Sequence, residues 1–275
     1  MLLALVAAMP GLGCLAYNDE CQAVVDNPRE VIGHLDEDVF IDKANARHAN
    51  NALGQMAADS FLHSQDRTAA PAVFGIINGG GIRAEGVCIT RETLLAGPLK
   101  KGVLHEALPF DNLVLAVNLQ RQELRKLMEQ SVSALLREDQ PITNPSGDFL
   151  DIAGGHMTVD CSKAGGISCV VGQTCRVTAL EVGGRDVLAG NPEEPFRVAL
   201  SRFVLTSGEN GLLAGMDSDL TRNPVFAAEQ GGIDSRLAEQ YMRDHYDKRQ
   251  GQPGLKVDPT RILLNHCAVP SRPAG

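Results

Sequence analysis

The sequence predicts an α+β domain in which mixed sheets pack against helices. Two observations favour this fold class. Short apolar strands separated by glycine pairs fill the middle of the chain, and helical apolar spacing occurs apart from them, without a regular alternation of strand and helix. The chain has 275 residues, 44% of them hydrophobic, which is sufficient for a substantial core.

The charge balance excludes one class of partner. The chain has 25 basic and 34 acidic residues, for a net charge of -9. Proteins that bind nucleic-acid polymers generally do so through a broad basic face, so we expect no such partner here. Any phosphate must be met by individual arginines. No apolar run reaches the ~18 to 20 residues that a membrane-spanning helix needs, so we expect no transmembrane segment.

The first segment, residues 1–16, is apolar, rich in small residues and ends in Cys14-Leu15-Ala16. This resembles the apolar region and cleavage site of a secretory signal, but the segment has no Lys or Arg and contains Pro10. It is either a signal peptide or a truncated leader. Cleavage would leave an even number of cysteines, which suits disulfides in an exported protein, whereas buried free thiols are the alternative. These cysteines are Cys21, Cys88, Cys161, Cys169, Cys175 and Cys267.

Three further segments follow: an acidic linker or edge segment over 17–44, a domain over 45–215, and a polar tail with one helix over 216–275. Apolar spacing predicts helices over 45–64 and 121–136 in the domain and over 234–247 in the tail, and a capping pattern predicts a short helix over 90–95. Branched and aromatic runs predict strands. These strands cover 73–77, 113–117, 149–153, 157–161, 168–171, 176–182 and 196–204.

The loop Asn78-Gly79-Gly80-Gly81-Ile82-Arg83 follows the first of these strands. Glycine adopts backbone angles closed to other residues, so the pattern predicts a tight loop at the end of a strand. Glycines also allow a ligand to approach backbone N–H groups, and Arg83 offers a charged fork suited to phosphate or carboxylate. The loop therefore predicts an anion site, with a plain turn and a solvated arginine as the alternative.

An ordered set of motifs containing this loop resembles the C-terminal, substrate-binding domain of the 5'-nucleotidase family, which includes periplasmic UDP-sugar hydrolases and ecto-5'-nucleotidases. The resemblance covers 45–215 and implies a fold like that domain. Its motifs are Arg47, Gly54 with Asp59, the glycine loop, Leu108-Pro109-Phe110, Phe149-Leu150 with Gly154-Gly155, and Phe203 ahead of Ser207-Gly208-Glu209-Asn210-Gly211.

The resemblance implies a set of roles. In the family, this domain grips the nucleotide while an N-terminal metallophosphoesterase domain holds two metal ions and hydrolyses the ester. Arg47 and Arg83 would contact the phosphate, and Asn78 the nucleoside. Phe110 and Phe203 would clamp the base between their rings, which tolerates any base, although ordinary core is the alternative for both. The implied substrate-binding residues are Arg47, Asn78, Gly80, Gly81, Arg83, Phe110, Phe203 and Glu209.

Two positions depart from the family pattern. The family usually has a Gly-Gly-Asp-Gly loop after the base-clamp strand, whose Asp takes the ribose hydroxyls, whereas this chain has Glu209 in a longer loop. Glu209 can still accept those hydrogen bonds, with a longer side chain. A Glu commonly found three residues after the arginine is Asn50 here, which removes a carboxylate that would steady Arg47.

The catalytic motifs of the family are absent from the sequence. Two-metal phosphoesterases need clustered Asp, His and Asn ligands, because the metals activate water and offset charge on the phosphoryl oxygens. The family's Asp-x-His and Gly-Asn-His-Glu segments do not occur, and the seven histidines are scattered. We therefore assign no catalytic residue, metal ligand or cofactor to this chain, and expect divalent metals only in a missing or partner catalytic domain.

Three functions remain open. The chain is a fragment or split form of a 5'-nucleotidase in nucleotide catabolism, acting with a metallophosphoesterase domain in trans. Alternatively, it is a free-standing nucleotide or nucleoside binding module, or a degenerate relative with a structural role. The expected ligand is a nucleoside 5'-phosphate or a related nucleotide. The family habit of export and the apolar leader predict a secreted, periplasmic or extracellular location.

Overall fold

A computed structural model describes residues 25–66, 68–85, 89, 92–206 and 230–271. Within these ranges the chain forms six α-helices and thirteen strands, so the predicted α+β class is confirmed. The helices are α1 (Lys43–His48), α2 (Ala52–His63), α3 (Lys101–Ala107), α4 (Arg121–Ser131), α5 (Arg202–Thr206) and α6 (Asp234–His245). The strands are β1 (Val31–Leu35), β2 (Val39–Phe40), β3 (Phe74–Asn78), β4 (Thr93–Leu94), β5 (Gly97–Lys100), β6 (Leu113–Gln120), β7 (Leu150–Ala153), β8 (Gly155–Asp160), β9 (Val177–Val182), β10 (Arg185–Asp186), β11 (Pro195–Ser201), β12 (Gln230–Ile233) and β13 (Ile262–Asn265).

The central sheet has five strands in the order β12-β6-β11-β3-β7. Strands β3 and β11 run parallel, and every other neighbouring pair in this sheet is antiparallel. As a result, β3, β11 and β12 end at the same edge of the sheet at which β6 and β7 begin. We call this the site edge.

Successive side chains of the central strands point to opposite faces, as strand geometry requires. Ile77 and Ala199 pack into a cluster with the buried residues of α2, α3 and α6. Ile76 and Val198 pack into a second cluster with the apolar side of α4 and the inner face of a second sheet. The central sheet therefore lies between two hydrophobic cores, and both of its faces are apolar.

The second sheet has the order β10-β9-β8-β13, with β13 parallel to β8 and the other pairs antiparallel. A disulfide between Cys161 and Cys267 joins the residue after β8 to a residue after β13. A second disulfide, between Cys169 and Cys175, closes a short loop before β9. Cys21 and Cys88 lie outside the described residues.

The C-terminal segment differs from the expected polar tail with one helix. Residues 230–271 supply β12 to the central sheet and β13 to the second sheet, and α6 between them packs on α2. β12 was not predicted because its sequence, Gln-Gly-Gly-Ile, has no run of branched residues. The 17–44 segment likewise contributes β1 and β2, which pair with β5 and β4 in two small sheets.

The predicted helix over 45–64 is two helices. Ala49 is extended, and the side chain of Asn51 accepts hydrogen bonds from the N–H groups of Leu53 and Gly54, which starts α2 anew. The predicted helix over 121–136 ends as α4 at Ser131. The guanidinium group of Arg176 donates to three carbonyl groups just beyond α4, and so closes the turn that follows it.

Two other predicted elements are wrong, and a third extends too far. Residues 168–171, at the start of the loop closed by Cys169–Cys175, are turn or irregular and do not form a strand. Within 90–95, residues Thr93–Leu94 form β4 and pair with β2, where a helix was expected. The strand predicted over 196–204 ends at Ser201 and continues as α5, because the hydroxyl of Ser201 accepts the N–H of Val204.

Across the residues that the structure describes, no helix combines the length and apolar content that crossing a bilayer requires.

Candidate functional site

The site edge brings together segments that are far apart in sequence. Val114, near the start of β6, pairs with Ser201 at the end of β11. Two residues before the end of β3, Ile76 pairs with Leu200 of β11. The glycine loop after β3, the turn before β6 and helix α5 after β11 therefore all leave the sheet at this one edge.

The glycine loop forms a 3-10 turn over Gly79–Gly81. The N–H of Gly79 donates to the carbonyl of Phe149 at 2.7 Å, and the N–H of Gly80 donates to that of Gly147 at 2.9 Å. A Cβ on Gly79 would lie 1.9 Å from the carbonyl oxygen of Ala46 in α1. The glycine at position 79 therefore serves close packing between the loop and α1.

This geometry corrects one sequence expectation. The N–H groups of Gly79 and Gly80 bond to the chain itself, so neither is open to an anion. A Cβ on Gly81 would meet only ordinary van der Waals contacts, the nearest at 3.6 Å. The substrate-binding role of Gly80 and Gly81 stays a prediction, and it no longer includes the backbone N–H of Gly80.

Asn78 ends β3 at the base of this loop and is 7% exposed. Its side-chain Nδ2 donates to the carbonyl of Gly147 at 3.2 Å, which ties the loop to the segment before β7. The structure thus assigns Asn78 a positioning contact, and its contact with a nucleoside stays a prediction.

Arg83 lies against Phe110. The guanidinium carbon of Arg83 is 4.8 Å from the ring centroid, within the range of a cation–π contact. Its Nη1 also donates to the carbonyl groups of Gly80 and of Ile82, the latter at 3.2 Å. Arg83 is therefore a held side chain rather than the solvated turn residue considered as an alternative.

Arg47, in the last turn of α1, is the second cation at this edge. Its Nη1 donates to the carbonyl of Pro145 at 3.4 Å, and its buried Nε has no hydrogen-bond partner among the described residues. Burial, and after it the nearby charge of Arg83, lowers the pKa of Arg47, while Glu85 opposes the shift. An anion close to both arginines would offset the repulsion between their charges.

The departure at Asn50 has a structural explanation. Its Nδ2 donates to the carbonyl of Ile262 in β13 at 2.7 Å, and its Oδ1 accepts from Gln55 at 3.1 Å. Asn50 thus joins the helices to the second sheet, and no carboxylate at this position steadies Arg47.

Phe110 and Phe203 are both about half exposed, at 48% and 53%. Phe110 precedes β6, and Phe203 lies in α5 after β11, so both emerge beyond the ends of adjacent strands. The alternative that they belong to the core is therefore wrong. The facing arrangement of their rings stays a prediction. Four other phenylalanines are fully buried: Phe61, Phe74, Phe149 and Phe196. Glu209 lies in 207–229, outside the described residues.

The turn that carries Phe110 is held by residues that sequence reasoning missed. Asp111 has a left-handed backbone, with φ of 48°. Asn112 Nδ2 donates to Asp234 at 3.0 Å, and the hydroxyl of Ser235 donates to Asp111 at 3.1 Å. Burial raises the pKa of Asp234. The only sequence signal was an Asp-Ser pair at the start of a predicted helix.

Asp151 is a second residue that the sequence analysis missed. It is fully buried in β7, and its Oδ1 accepts the N–H of Asn51 at 3.2 Å. Its Oδ2 has no hydrogen-bond partner in the described ranges, and a Cβ on Gly54 would lie 2.0 Å from it. Burial raises the pKa of Asp151 to about 8. A carboxyl group inside an apolar strand was the available signal.

These contacts explain two of the family-like motif positions by packing. Gly54 leaves room for Asp151 against α2. Asp59 forms a two-point ion pair with Arg261, with Nη1–Oδ1 at 2.9 Å and Nη2–Oδ2 at 2.8 Å. Contacts within the scaffold therefore account for both residues.

One group of potential metal ligands occurs in the part of the chain that the structure describes: Glu129, Cys169 and Cys175. The two sulfur atoms are bonded to each other. The Glu129 carboxylate accepts hydrogen bonds from three backbone N–H groups, one of them that of Val177 at 2.9 Å. In this state the group does not offer three free ligands.

Comparison with known proteins identifies the fold. Residues 31–215 match the family model of the 5'-nucleotidase C-terminal domain, so the match begins in β1 rather than at 45. The solved 5'-nucleotidase precursor from Thermus thermophilus is 22% identical, with a TM-score of 0.63 over 89% of this chain and 41% of its own. The NAD nucleotidase from Haemophilus influenzae is 13% identical, with a TM-score of 0.56 over 87% of this chain and 38% of its own.

Two curated Bacillus subtilis proteins are also similar. The trifunctional nucleotide phosphoesterase protein YfkN is 26% identical over 184 residues, which is 67% of this chain and 11% of YfkN. The endonuclease YhcR is 27% identical over 114 residues, which is 42% of this chain and 8% of YhcR. This chain thus spans a small part of each curated relative. On the family match and the shared fold, the chain belongs to the 5'-nucleotidase family, in which it corresponds to the C-terminal domain.

Proposed function

We propose that this chain is the nucleotide-recognition domain of a 5'-nucleotidase-like hydrolase. The observation that carries the proposal is the contact of Arg83 with the half-exposed ring of Phe110, beside the second cation Arg47. Such an arrangement offers charge to a phosphate and an aromatic face to a base. Phe203 emerges at the same edge and would supply the second ring.

The chemistry of the two ligand halves supports this assignment. A base stacks on an aromatic ring through its π-face with about 1 to 3 kcal/mol per base, whatever its identity. A phosphate is recognised by guanidinium groups through charge-assisted hydrogen bonds. The expected ligand is therefore a nucleoside 5'-phosphate, with weak preference among bases. Glu209 would accept hydrogen bonds from the ribose hydroxyls.

Hydrolysis requires a second component in this proposal. The sequence has neither of the family's metal-binding motifs. A metallophosphoesterase domain, in trans or in a longer chain, would therefore hold the divalent metals and hydrolyse the ester. The role of this domain would be to deliver the phosphate to that centre. Nucleotide catabolism is then the process served.

Two experiments test the proposal. Titration calorimetry of the purified chain with AMP and with adenosine should give heat for both, and tighter binding of AMP. No heat for either ligand would leave a structural role. A phosphate-release assay on AMP with added divalent metal should show no turnover by the chain alone. Metal-dependent turnover would overturn the division of labour proposed here.

Export is part of the proposal and rests on the two disulfides. Disulfides persist mainly in oxidising compartments, which suits a secreted, periplasmic or extracellular protein. Cell fractionation followed by thiol alkylation tests it. The protein should be found outside the cytoplasm with Cys161, Cys169, Cys175 and Cys267 resistant to alkylation, and a cytoplasmic, fully alkylated protein would contradict export.

A further inference from the structure

A pocket of about 270 Å³ lies between α4 and the loop closed by the Cys169–Cys175 disulfide. Its polar wall comes from α4, and its apolar wall comes from the disulfide loop, the residues flanking that loop and the segment after β10. This size is just below the range usual for drug-sized ligands, so the pocket suits a smaller molecule.

The polar wall is cationic. Arg125 and Lys126 are adjacent on α4 and both line the pocket. The Nε of Arg125 is buried and has no hydrogen-bond partner among the described residues. An anion in the pocket would offset the charge of these two side chains. The one carboxylate in the lining belongs to Glu129, whose oxygens already accept three backbone N–H groups.

The opposite wall is apolar. Ile167 is 57% exposed and lines this pocket together with Val171 and Leu188. The disulfide sulfurs add further apolar surface. A ligand that covers this wall removes apolar area from water, which favours binding by roughly 25 cal/mol per Å².

The pocket is separate from the site edge. Helix α4 begins after Gln120, at the opposite end of β6 from Phe110. A strand of eight residues spans roughly 25 Å, so a nucleotide at the site edge cannot fill this pocket from there.

We propose that this pocket is a second small-molecule site, for a monocarboxylate with a short apolar chain. The carboxylate would interact with the charges of the Arg125 guanidinium group and the Lys126 ammonium group, which both line the pocket. The alkyl chain would lie against Ile167 and Leu188. A neutral ligand would leave the cations unpaired, and a small anion such as acetate would leave the apolar wall exposed.

Titration calorimetry of the full chain with octanoate tests this site. Octanoate should bind saturably at one site, and octanamide and acetate should bind much more weakly. Arg125→Gln should lower the affinity for octanoate about tenfold, equivalent to ~1.4 kcal/mol. Ile167→Ser should weaken it without changing the preference for the charged ligand. Arg236→Gln removes one exposed cation from α6, elsewhere in the fold, and should leave octanoate binding unchanged.

Several results would overturn the site. These are the absence of saturable octanoate binding, equal binding of octanamide, or equal affinities for Arg125→Gln and wild type when both unfold at the same temperature. Phe110→Ala provides the test of independence, because it should leave octanoate binding intact. If Phe110→Ala abolishes octanoate binding, the ligand occupies the site edge and the proposed pocket is wrong.

Discussion

The guanidinium group of Arg83 covers one face of the Phe110 ring, at 4.8 Å from its centroid. Arg83, which would bind the phosphate, is therefore in contact with Phe110, which would stack on the base. The contact orients both side chains at the site edge before any ligand binds. Mutation of either residue should therefore weaken nucleotide binding.

Phe110→Ala and Phe203→Ala should each weaken binding of adenosine and AMP by about 1 to 3 kcal/mol, because each removes a stacking surface. Thermal unfolding should change little, since both rings are about half exposed. Leu263→Ala is a matched control, because Leu263 is an equally exposed apolar residue on the second sheet. Calorimetry measures the affinities. Unchanged affinity in both phenylalanine variants would contradict the proposal that these rings clamp the base.

Arg83→Gln should weaken AMP binding by about 1.5 to 3 kcal/mol. It should weaken adenosine binding by less, because only AMP presents a charged acceptor. Arg47→Gln should show the same selectivity. Arg83→Lys should recover part of the AMP affinity, because it keeps the charge and loses the planar contact with Phe110. Equal losses for AMP and adenosine would show that the arginines act on the fold and not on the phosphate.

Asp151 should make the protein less stable as pH rises. Its folded pKa of about 8 lies above its usual value, so between about pH 4 and 8 the folded state binds more protons than the unfolded state. The contribution of Asp151 to the free energy of unfolding is therefore fully present below about pH 4 and is lost as pH rises to about 8. In Asp151→Asn, the urea concentration at the unfolding midpoint should change less between about pH 5 and 8 than it does in the wild type. Glu181→Gln, an exposed carboxylate on β9, should leave the pH dependence in place.

His48 should act in the opposite direction. It is buried, its Nε2 accepts the N–H of Leu136 at 3.0 Å, and burial is the main cause that lowers its pKa. Its contribution is fully present above about pH 6.5 and is lost as pH falls through the lowered folded pKa. His48→Gln keeps an acceptor and should remove this acid sensitivity. His156→Gln, at an exposed histidine, serves as control, and identical acid profiles for all three proteins would refute the assignment.

The two disulfides should differ in their contribution to stability. Cys161–Cys267 joins residues 106 apart, whereas Cys169–Cys175 joins residues 6 apart. Loop entropy predicts about 4.7 kcal/mol for a loop of this longer kind and about 2 kcal/mol for the short one. Urea unfolding of the two paired Cys→Ala variants measures the difference. A larger loss from Cys169/Cys175 would indicate that native contacts of the short loop dominate.

The elements that sequence reasoning located correctly have signals in their own residues. Helix α4 has Leu124, Leu127 and Met128 on one face, and all three are buried. β3 is an unbroken apolar run ended by glycines. By contrast, β12 has two glycines among four residues and is a strand because β6 offers it an edge. Pairing of that kind cannot be seen in the short segment itself.

The candidate site shows the same division. The sequence predicts Arg83 and Phe110 as site residues through family-like motifs, but their contact depends on how the strands are ordered in the sheet. Asp234, which holds the turn of Phe110, and Asp151, which is buried against Gly54, act over long sequence separations. Their roles depend on burial and partners, which composition and spacing do not encode.

Among the described strands, β12 and β13 come latest in the sequence, and they add to the central sheet and to the second sheet respectively. During synthesis, β6 and β8 each lack a neighbour until residues 230–271 have left the ribosome. Open strand edges pair readily with other chains, so the growing polypeptide passes through a stage at which self-association competes with folding. A holding chaperone that shields these edges would matter most for this protein at that stage.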